Sequence, residues 1–350
     1  MATKPKIILI GPVTNIPAGL IGGATISFGY LVDFLKSQNE NFVLINTQRF
    51  PKGILRFLNP IHLFVKVLLH ALSSDVVFLN SSRGGTKYVA PVLFFVAKAF
   101  RLKFVYRPFG GDIKDYTSDY GKLSKWIFRN TVLKADILFL QTRELMNFYA
   151  GLGTNTVQLP TSRAQAPTAL STKKKYFEKR FVYLGFVNTA KGIDQLLAAK
   201  KELGDEYTIH IYGPIKEAKY HEVFKHSPDI YQGVLSKEKV LETICKYNVM
   251  VLPTYYEGEG YPGAIIESYS LGIPVVTTKW KAIPEIVQHE KTGLLIAPKS
   301  TEELVEAIRH FTPSNYFALS DNAKKCFDEN FDTEVVTSIA IRKIKELLKS

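Results

Sequence analysis

Short apolar runs alternate with helical patterns along the whole chain. In the first half these runs are Lys6–Ile10, Phe42–Asn46, Val76–Asn80, Lys103–Tyr106 and Ile137–Leu140. In the second half they are Arg180–Leu184, Thr208–Tyr212, Val249–Pro253, Pro274–Thr277 and Gly293–Ile296. Such alternation is typical of βαβ units. The pattern therefore predicts an α/β protein with parallel sheets covered by helices.

The stretch from Pro160 to Lys175 interrupts this alternation, because it is rich in Thr, Ser, Ala, Pro and Lys and lacks apolar periodicity. With 350 residues the chain also exceeds the usual single domain of about 100–200 residues. We predict an N-terminal domain at 1–165, a linker at 166–179 and a C-terminal domain at 180–330. Residues 331–350 are predicted to form a helix that packs back on the N-terminal domain or on the domain nearest to it.

Positive charge is concentrated in the first half of the chain. Residues 1–170 contain 20 Lys and Arg against 8 Asp and Glu, which accounts for almost all of the net charge of +13. Arg49–Ser73 and Lys122–Lys134 mix cations with large apolar residues, a composition that suits an anionic bilayer interface. The alternative is ordinary packing, with the apolar residues facing the core. The positive charge would also suit a nucleic-acid partner. The sequence contains no recognisable nucleic-acid-binding motif, so we do not expect the protein to bind nucleic acid.

No apolar run approaches the roughly 18 residues of a membrane span. The run from Ile7 to Ile10 is too short for the core of a signal peptide. The two cysteines, Cys245 and Cys326, do not make a disulfide framework. We therefore expect a cytoplasmic protein that is soluble or peripheral at the inner face of the plasma membrane.

The densest chemical signal lies between Val249 and Val276, where a strand, a glycine-rich turn and a helix beginning near Pro262 follow one another. The backbone amides of Gly263 and Ala264 and the helix dipole favour a phosphate at the helix start. Glu267 can accept both hydroxyls of a ribose through its two oxygens. The alternative is a solvated surface carboxylate, which the apolar residues around Glu267 disfavour.

The turn from Gly258 to Gly263 also matches the dinucleotide pattern G-x-G-x-x-G, with Glu285 about 20 residues further on. The ribose-binding acid of such a site ends the second strand, whereas here that strand runs into Thr277 and Thr278. We therefore disfavour a nicotinamide-dependent enzyme.

The spacing E-x7-E from Glu259 to Glu267, followed by G-x-P-V-V, resembles retaining glycosyltransferase family 4, the group 1 glycosyltransferases. The resemblance covers the second domain, with motifs at Val182–Gly185, Lys191–Gly192, Ile211–Gly213, Gly233–Leu235, Ile283–Val287 and Thr292–Leu295. It implies the GT-B fold, in which two Rossmann-like, doubly wound parallel-sheet domains face a cleft. It also implies transfer of a sugar from a UDP- or GDP-linked donor to a polysaccharide or lipid-linked glycan, as in surface polysaccharide biosynthesis. The nucleotide-sugar is a co-substrate, and no cofactor is expected.

The same resemblance implies roles for individual residues. Glu267 would hold the donor ribose, Lys191 would neutralise the diphosphate, and Glu259 would contact the sugar. The other implied donor-binding residues are Tyr261, Pro262, Gly263, Ala264, Val234, Leu235, Gly185, Gly22 and Gly23. The alternative for Lys191 is an ordinary solvated lysine before a helix, and the alternative for Gly22–Gly23 is a plain turn.

Two departures from the family pattern affect the predicted site. The family arginine after the glycine matched by Gly185 is replaced by Phe186, so another cation would have to take its place. The family histidine of the first domain has no counterpart, and Arg107–Asp112 is the nearest equivalent. Asp112 could accept a sugar hydroxyl and Arg107 could face a phosphate. Equally, Asp112 could cap the turn that follows it.

The chain contains no D-x-D sequence, which predicts a metal-independent mechanism. Two other classes stay open at this point. One is a sugar phosphorylase or sugar-nucleotide epimerase of the same fold, and the other is a non-catalytic, basic membrane-binding module. The donor sugar, base, acceptor, linkage and oligomeric state are not predicted.

Overall fold

The computed structural model describes residues 5–13, 23–48, 58–170 and 176–349. In chain order the strands are β1 (Ile7–Gly11), β2 (Phe42–Asn46), β3 (Val76–Ser81), β4 (Lys103–Pro108), β5 (Ile137–Leu140), β6 (Thr156–Gln158), β7 (Arg180–Leu184), β8 (Thr208–Tyr212), β9 (Val249–Leu252), β10 (Val275–Thr278) and β11 (Gly293–Ile296). Each strand predicted from the apolar pattern is present, and its ends lie within two residues of the prediction. The pattern missed β6, which is short and half-buried.

The helices follow the strands along the chain. They are α1 (Gly23–Ser37), α2 (Asn59–Ala71), α3 (Ala90–Ala99), α4 (Ile113–Ser118), α5 (Lys122–Asn130), α6 (Arg143–Ala150), α7 (Ile193–Leu203), α8 (Lys219–Lys225), α9 (Lys237–Ile244), α10 (Gly263–Ser270), α11 (Thr301–His310), α12 (Pro313–Asn330) and α13 (Thr333–Leu347). Among the described helices, none combines the length and apolar character that crossing a bilayer requires.

These elements form two compact units. Within the described residues, the first unit runs to Thr161 and takes in the C-terminal residues from Thr333 onward, and the second unit is Ser162–Asp332. The chain thus passes from one unit to the other at Thr161–Ser162 and returns at Asp332–Thr333. The C-terminal helix α13 packs against α1 within the first unit.

The first unit is a parallel sheet with helices on both faces. Its described strands pair in the order β2-β1-β3-β4-β5-β6. Successive residues of each strand point to opposite faces, so the sheet builds two cores. One core lies against α2, α3 and α6, and the other lies against α1 and α13. The inner strands β1, β3, β4 and β5 are buried on both faces, which explains why they read as nearly continuous apolar runs.

The second unit repeats this arrangement. Its described strands are all parallel and pair in the order β8-β7-β9-β10-β11. In both units the first strand lies beside the second on one side and the third on the other, so the strand order reverses at that point. Doubly wound sheets bind ligands outside the carboxyl ends of the strands at such a switch point. The second unit therefore has its switch point between β7 and β9.

Candidate functional site

The segments after β7 and β9 meet at the carboxyl edge of the second sheet. Gly192 has φ of 77°, in the left-handed region that glycine adopts readily, and a side chain there would collide with the backbone of Pro253. The backbone amide of Tyr255 donates to the carbonyl of Ala190 at 2.8 Å. Close packing of backbone on backbone thus fixes the residue before Gly192, which is Lys191, beside the end of β9.

A buried ion pair occupies this position. Nζ of Lys191 lies 2.5 Å from Oε2 of Glu259, and the two side chains are only 14% and 9% exposed. The same carboxylate oxygen accepts a hydrogen bond from Oγ1 of Thr254 at 2.8 Å. The predicted diphosphate cation and the predicted sugar-facing carboxylate are therefore brought together, and the alternative of a solvated Lys191 does not describe this side chain.

Tyr183, in β7, lies close to this pair. Burial, and then the negative charge of Glu259, raise the pKa of the Tyr183 phenol well above its usual value. The phenol consequently stays protonated and donates to the carbonyl of Phe186 at 2.6 Å. That hydrogen bond holds the loop that follows Gly185 at the switch point.

The second glutamate of the E-x7-E spacing is also paired, with a residue that the sequence analysis did not single out. Nε of Arg163 donates to Oε1 of Glu267 at 2.7 Å, and the Arg163 side chain is 4% exposed. The Glu267 side chain is 17% exposed, so it is not a solvated surface carboxylate. Arg163 comes from the segment predicted to be near the linker, 104 positions away in sequence.

Arg163 also packs against the start of α10. A side chain added at Gly263 would collide with the Arg163 guanidinium, so the glycine makes room for it. Pro262 is the N-cap of this helix, as expected for a helix that begins near it. Gly263 and Ala264 are half-buried. The predicted helix start is therefore present, with a buried cation along one side of it.

The remaining donor-side residues lie around this edge. The Tyr261 ring is buried, and its hydroxyl donates to Oε2 of Glu285 at 2.6 Å, so its side chain is already engaged within the second unit. Val234 is exposed and Leu235 is half-buried in the loop that follows Gly233. Gly23 is the first residue of α1, whereas Gly22 lies outside the described residues.

A lysine accompanies the position where the family pattern has an arginine. Phe186 is partly exposed, and Nζ of Lys216 lies 4.7 Å from the centroid of its ring, a cation–π distance. The backbone amide of Lys216 donates to the carbonyl of Val187 at 2.9 Å, which holds the lysine beside the loop after β7. The structure thus supplies a nearby cation where the sequence lacks one.

In the first unit the structure separates Arg107 from Asp112. Arg107 is buried, and its Nη2 donates to the carbonyl of Pro160 at 3.0 Å. Burial lowers the pKa of the Arg107 guanidinium to about 10. Asp112 is the N-cap of α4 but its carboxylate makes no capping hydrogen bond. It pairs instead with Arg83, at 2.9 Å to Nη2 and 3.2 Å to Nε.

Arg163, Lys216 and Arg83 are the site residues that sequence reasoning missed. Arg163 lies in a segment without periodicity, Lys216 lies in a loop, and Arg83 lies in the helical turn that follows β3. Each becomes visible through a partner that is distant in sequence. In the described residues, no three His, Cys, Asp or Glu side chains are grouped so that they could hold a metal ion.

Residues 178–312, which begin just before β7 and end before α12, match the family model described as glycosyl transferases, group 1. The chain is 25% identical over 230 residues to a Bacillus subtilis protein named as a teichuronic acid biosynthesis glycosyltransferase, TuaC, covering 62% of this chain and 57% of TuaC. It is 27% identical over 132 residues to the sulfoquinovosyl transferase SQD2 of Arabidopsis thaliana, covering 37% of this chain and 25% of SQD2. The alignments thus span well under two thirds of these relatives.

Solved structures resemble the whole chain. HepE of Anabaena, in complex with UDP, superimposes with a TM-score of 0.72 and 15% identity, covering 97% of this chain and all of HepE. Sucrose-phosphate synthase from Thermosynechococcus elongatus gives a TM-score of 0.74 and 17% identity, covering 99% of this chain and all of the other. At such identities the likeness shows the fold, which is the GT-B arrangement of two parallel-sheet α/β domains.

Proposed function

We propose that this chain catalyses a glycosyl transfer. The proposal starts from its match to the group 1 glycosyltransferases over residues 178–312 and from its GT-B fold. The reaction is transfer of a sugar from a nucleotide-sugar donor to a polysaccharide or lipid-linked glycan. The observation that carries it is the buried Lys191–Glu259 pair at the switch-point edge of the second sheet. A buried ion pair is costly and contributes little to stability, so one that lies at a ligand-binding edge points to a role in binding or chemistry.

The donor is bound by the second unit. Glu267 accepts the ribose hydroxyls, and the amides at the start of α10 face the diphosphate. An ammonium group has three donors, so Lys191 can keep its contact with Glu259 and still donate to a phosphate oxygen. Lys216 supplies the second cation in place of the family arginine. HepE, a neighbour in fold, is described in complex with UDP, which makes a UDP-linked sugar our first choice of donor.

The bond from the anomeric carbon to the diphosphate breaks as the bond to the acceptor oxygen forms. We propose that the acceptor attacks the face from which the diphosphate leaves, so the anomeric configuration is retained, and that its proton passes to the departing phosphate oxygen. Lys191, the helix start and Lys216 stabilise the negative charge that develops on the leaving group. In this proposal fixed protein charges do the work of a divalent ion, and activity persists in EDTA.

The acceptor is bound by the first unit. Asp112 lies after β4, at the carboxyl edge of the first sheet, and is ion-paired with an exposed arginine, Arg83. A carboxylate beside a guanidinium offers both an acceptor and donors to sugar hydroxyls. The names of relatives such as TuaC support a surface glycan as the acceptor class.

We further propose that the first unit contacts an anionic membrane surface, where a lipid-linked acceptor would be found. Helix α2 exposes large apolar side chains on the face away from its core, and α5 exposes two more. They are Ile61, Phe64, Val65, Leu68 and Leu69 in α2, and Leu123 and Trp126 in α5. The lysines near these helices and the net charge of the first half match anionic lipid. Part of the basic segment, residues 49–57, lies outside the described residues.

Titration calorimetry with UDP, GDP and ADP tests the donor site. We expect one uracil or guanine nucleotide to bind the wild-type protein, and Glu267→Ala to weaken it at least about tenfold through loss of charged hydrogen bonds. Glu242→Ala, in an exposed ion pair on α9, is the matched control and should bind normally. Equal affinity in wild type and Glu267→Ala would refute the proposed site.

Product analysis separates transfer from the alternatives. Incubation with the bound nucleotide-sugar and a lipid-linked acceptor should extend the acceptor by one sugar and release the nucleoside diphosphate. Sugar phosphate formed from inorganic phosphate would instead identify a phosphorylase. A sugar epimerised without transfer would identify an epimerase.

A further inference from the structure

Arg163 is a buried cation that is ion-paired with the Glu267 carboxylate. Its side chain is 4% exposed and lies against Gly263 at the start of α10. The start of a helix carries the positive end of the helix dipole, which repels a cation. A buried guanidinium also loses much of its hydration. An apolar residue at position 163 would stabilise the fold as well as the buried ion pair does. We therefore look for a role of Arg163 other than stability.

The contacts of Arg163 fix it from several directions. Its backbone amide donates to the carbonyl of Phe331 at 3.0 Å, and Arg163 and Asp332 form a parallel β-bridge. Its Nη1 donates to the carbonyl of Ser162 at 3.0 Å. Phe331 in turn packs edge-on against the Tyr261 ring, at 6.3 Å between centroids. The guanidinium is thus held by a frame that includes the turn before α10.

The consequence falls on Glu267. A glutamate side chain has three rotatable bonds, and ordering it on ligand binding costs free energy. The 2.7 Å hydrogen bond from Arg163 holds one carboxylate oxygen in place before a ligand arrives. Holding a binding group in its bound geometry beforehand raises affinity without any new contact to the ligand.

We propose that Arg163 is a positioning residue, which orders the Glu267 carboxylate for the pentose hydroxyls of the donor nucleotide. The proposal rests on the proposed donor site and adds a specificity element to it. Because Arg163 acts through Glu267, it affects recognition of the ribose hydroxyls and leaves recognition of the base and diphosphate unchanged.

The test compares UDP with 2′-deoxy-UDP, by calorimetry, on the full-length protein; GDP and 2′-deoxy-GDP are used if the wild type binds GDP. The wild type should prefer the ribonucleotide. Arg163→Ala and Arg163→Lys should weaken the ribonucleotide about tenfold and the deoxynucleotide, which keeps only the 3′-hydroxyl for Glu267, by a clearly smaller factor, so the preference for the ribonucleotide falls. Arg309→Ala, which breaks an exposed ion pair with Glu202 in the same unit, should preserve the preference.

A double variant isolates the path through Glu267. Adding Arg163→Ala to Glu267→Ala should cost no further ribonucleotide affinity, because the group that Arg163 orders is gone. Removing both members of the pair also avoids an unpaired buried charge, so this variant folds if Arg163→Ala does not. If Arg163→Ala and Arg163→Lys keep the wild-type preference for the ribonucleotide, or if the losses in the double variant are additive, Arg163 does not position Glu267. Either result would leave the proposed donor site standing. A wild type that binds neither nucleotide would overturn the donor site as well.

Discussion

The two units share one strand order but equip their carboxyl edges differently. In the second unit the ion pairs at this edge, Lys191–Glu259 and Arg163–Glu267, are almost fully buried. In the described part of the first unit the corresponding pair is Arg83–Asp112, and Arg83 is 65% exposed. Buried charges keep one geometry, whereas an exposed arginine can rearrange. One strand order thus carries largely buried charges in the second unit and an exposed pair in the first, which suits the proposal that the second unit binds the nucleotide and the first unit binds a more variable glycan.

The outer surfaces differ as well. Exposed large apolar residues in the second unit are scattered over different elements, for example Val223, Tyr256 and Phe317. In the first unit they concentrate on α2, α3 and α5, which lie against the same core. A scattered exposed residue is normal, while a concentration indicates an interaction surface. The comparison agrees with the proposal that the second unit binds the donor and the first unit contacts a membrane surface.

The largest expected effect comes from removing the charge of Glu259. Glu259→Gln keeps the shape of the side chain but leaves Lys191 without its carboxylate partner. We expect kcat for transfer to fall roughly 10²–10³-fold, the usual loss on removing one fixed electrostatic group. Initial rates at saturating donor and acceptor measure it. Glu242→Gln, in the exposed Lys239–Glu242 pair, should retain full activity.

The next effect tests how closely Arg163 packs on the start of α10. Gly263→Ala adds a methyl group where the guanidinium lies. We expect the free energy of unfolding to fall by about 1–3 kcal/mol, as is typical of overpacking, with a parallel loss of UDP affinity. Urea unfolding and calorimetry measure the two quantities. Wild-type values for both would mean that the packing around Arg163 is loose.

The attachment surface of the first unit is tested with liposomes. Leu69→Glu combined with Trp126→Glu places charge on two side chains that are 69% and 62% exposed. We expect binding to vesicles rich in anionic lipid to fall at least about tenfold, since each side chain loses apolar burial. Phe317→Glu, on α12 of the second unit, is the matched control and should bind as wild type.

Ionic strength provides a second check on the same surface. Binding that depends on Lys and Arg should weaken as salt rises from about 0.1 M to 1 M, because the screening length shortens from roughly 10 Å to 3 Å. If vesicle binding by the wild-type protein depends neither on salt nor on the fraction of anionic lipid, the proposed contact with an anionic membrane is wrong.

A smaller effect is expected at the exposed pair of the first unit. Asp112→Ala removes a carboxylate that is 19% exposed and leaves Arg83 in solvent. We expect kcat/KM for the acceptor to fall about fivefold, equivalent to ~1 kcal/mol for one hydrogen bond. The affinity for UDP, measured on the same variant, should not change. A loss of UDP affinity would place Asp112 on the donor side and break the division between the units.

The strands could be predicted from the sequence because most are buried on both faces and read as apolar runs. The exception, β6, contains only Val157 as an apolar residue between Thr156 and Gln158. The E-x7-E spacing located α10 and both glutamates, because that chemistry is local in sequence. Neither partner of those glutamates could be assigned locally. Arg163 meets Glu267 across 104 positions, a pairing that only the tertiary fold creates.

The fate of Arg107 has a similar cause. The sequence pattern placed Arg107 in the loop after the strand Lys103–Tyr106, whereas β4 extends through Pro108 and includes Arg107. Which way a side chain points at a strand end depends on the register of the sheet, and here it points to the interior and reaches the carbonyl of Pro160. The surface cation near Asp112 is instead Arg83, from the helical turn after the neighbouring strand β3.

The smallest expected effect is that of Gly29→Ala, which is a control for Gly263→Ala. Gly29 lies within α1 of the first unit, and a side chain added there would meet nothing within 4 Å. Alanine has the higher helix propensity, so Gly29→Ala should raise the free energy of unfolding by about 0.5–1 kcal/mol. Urea unfolding measured beside Gly263→Ala should then show opposite signs for one chemical change. Two losses of similar size would mean that backbone effects, and not the guanidinium beside α10, govern both positions.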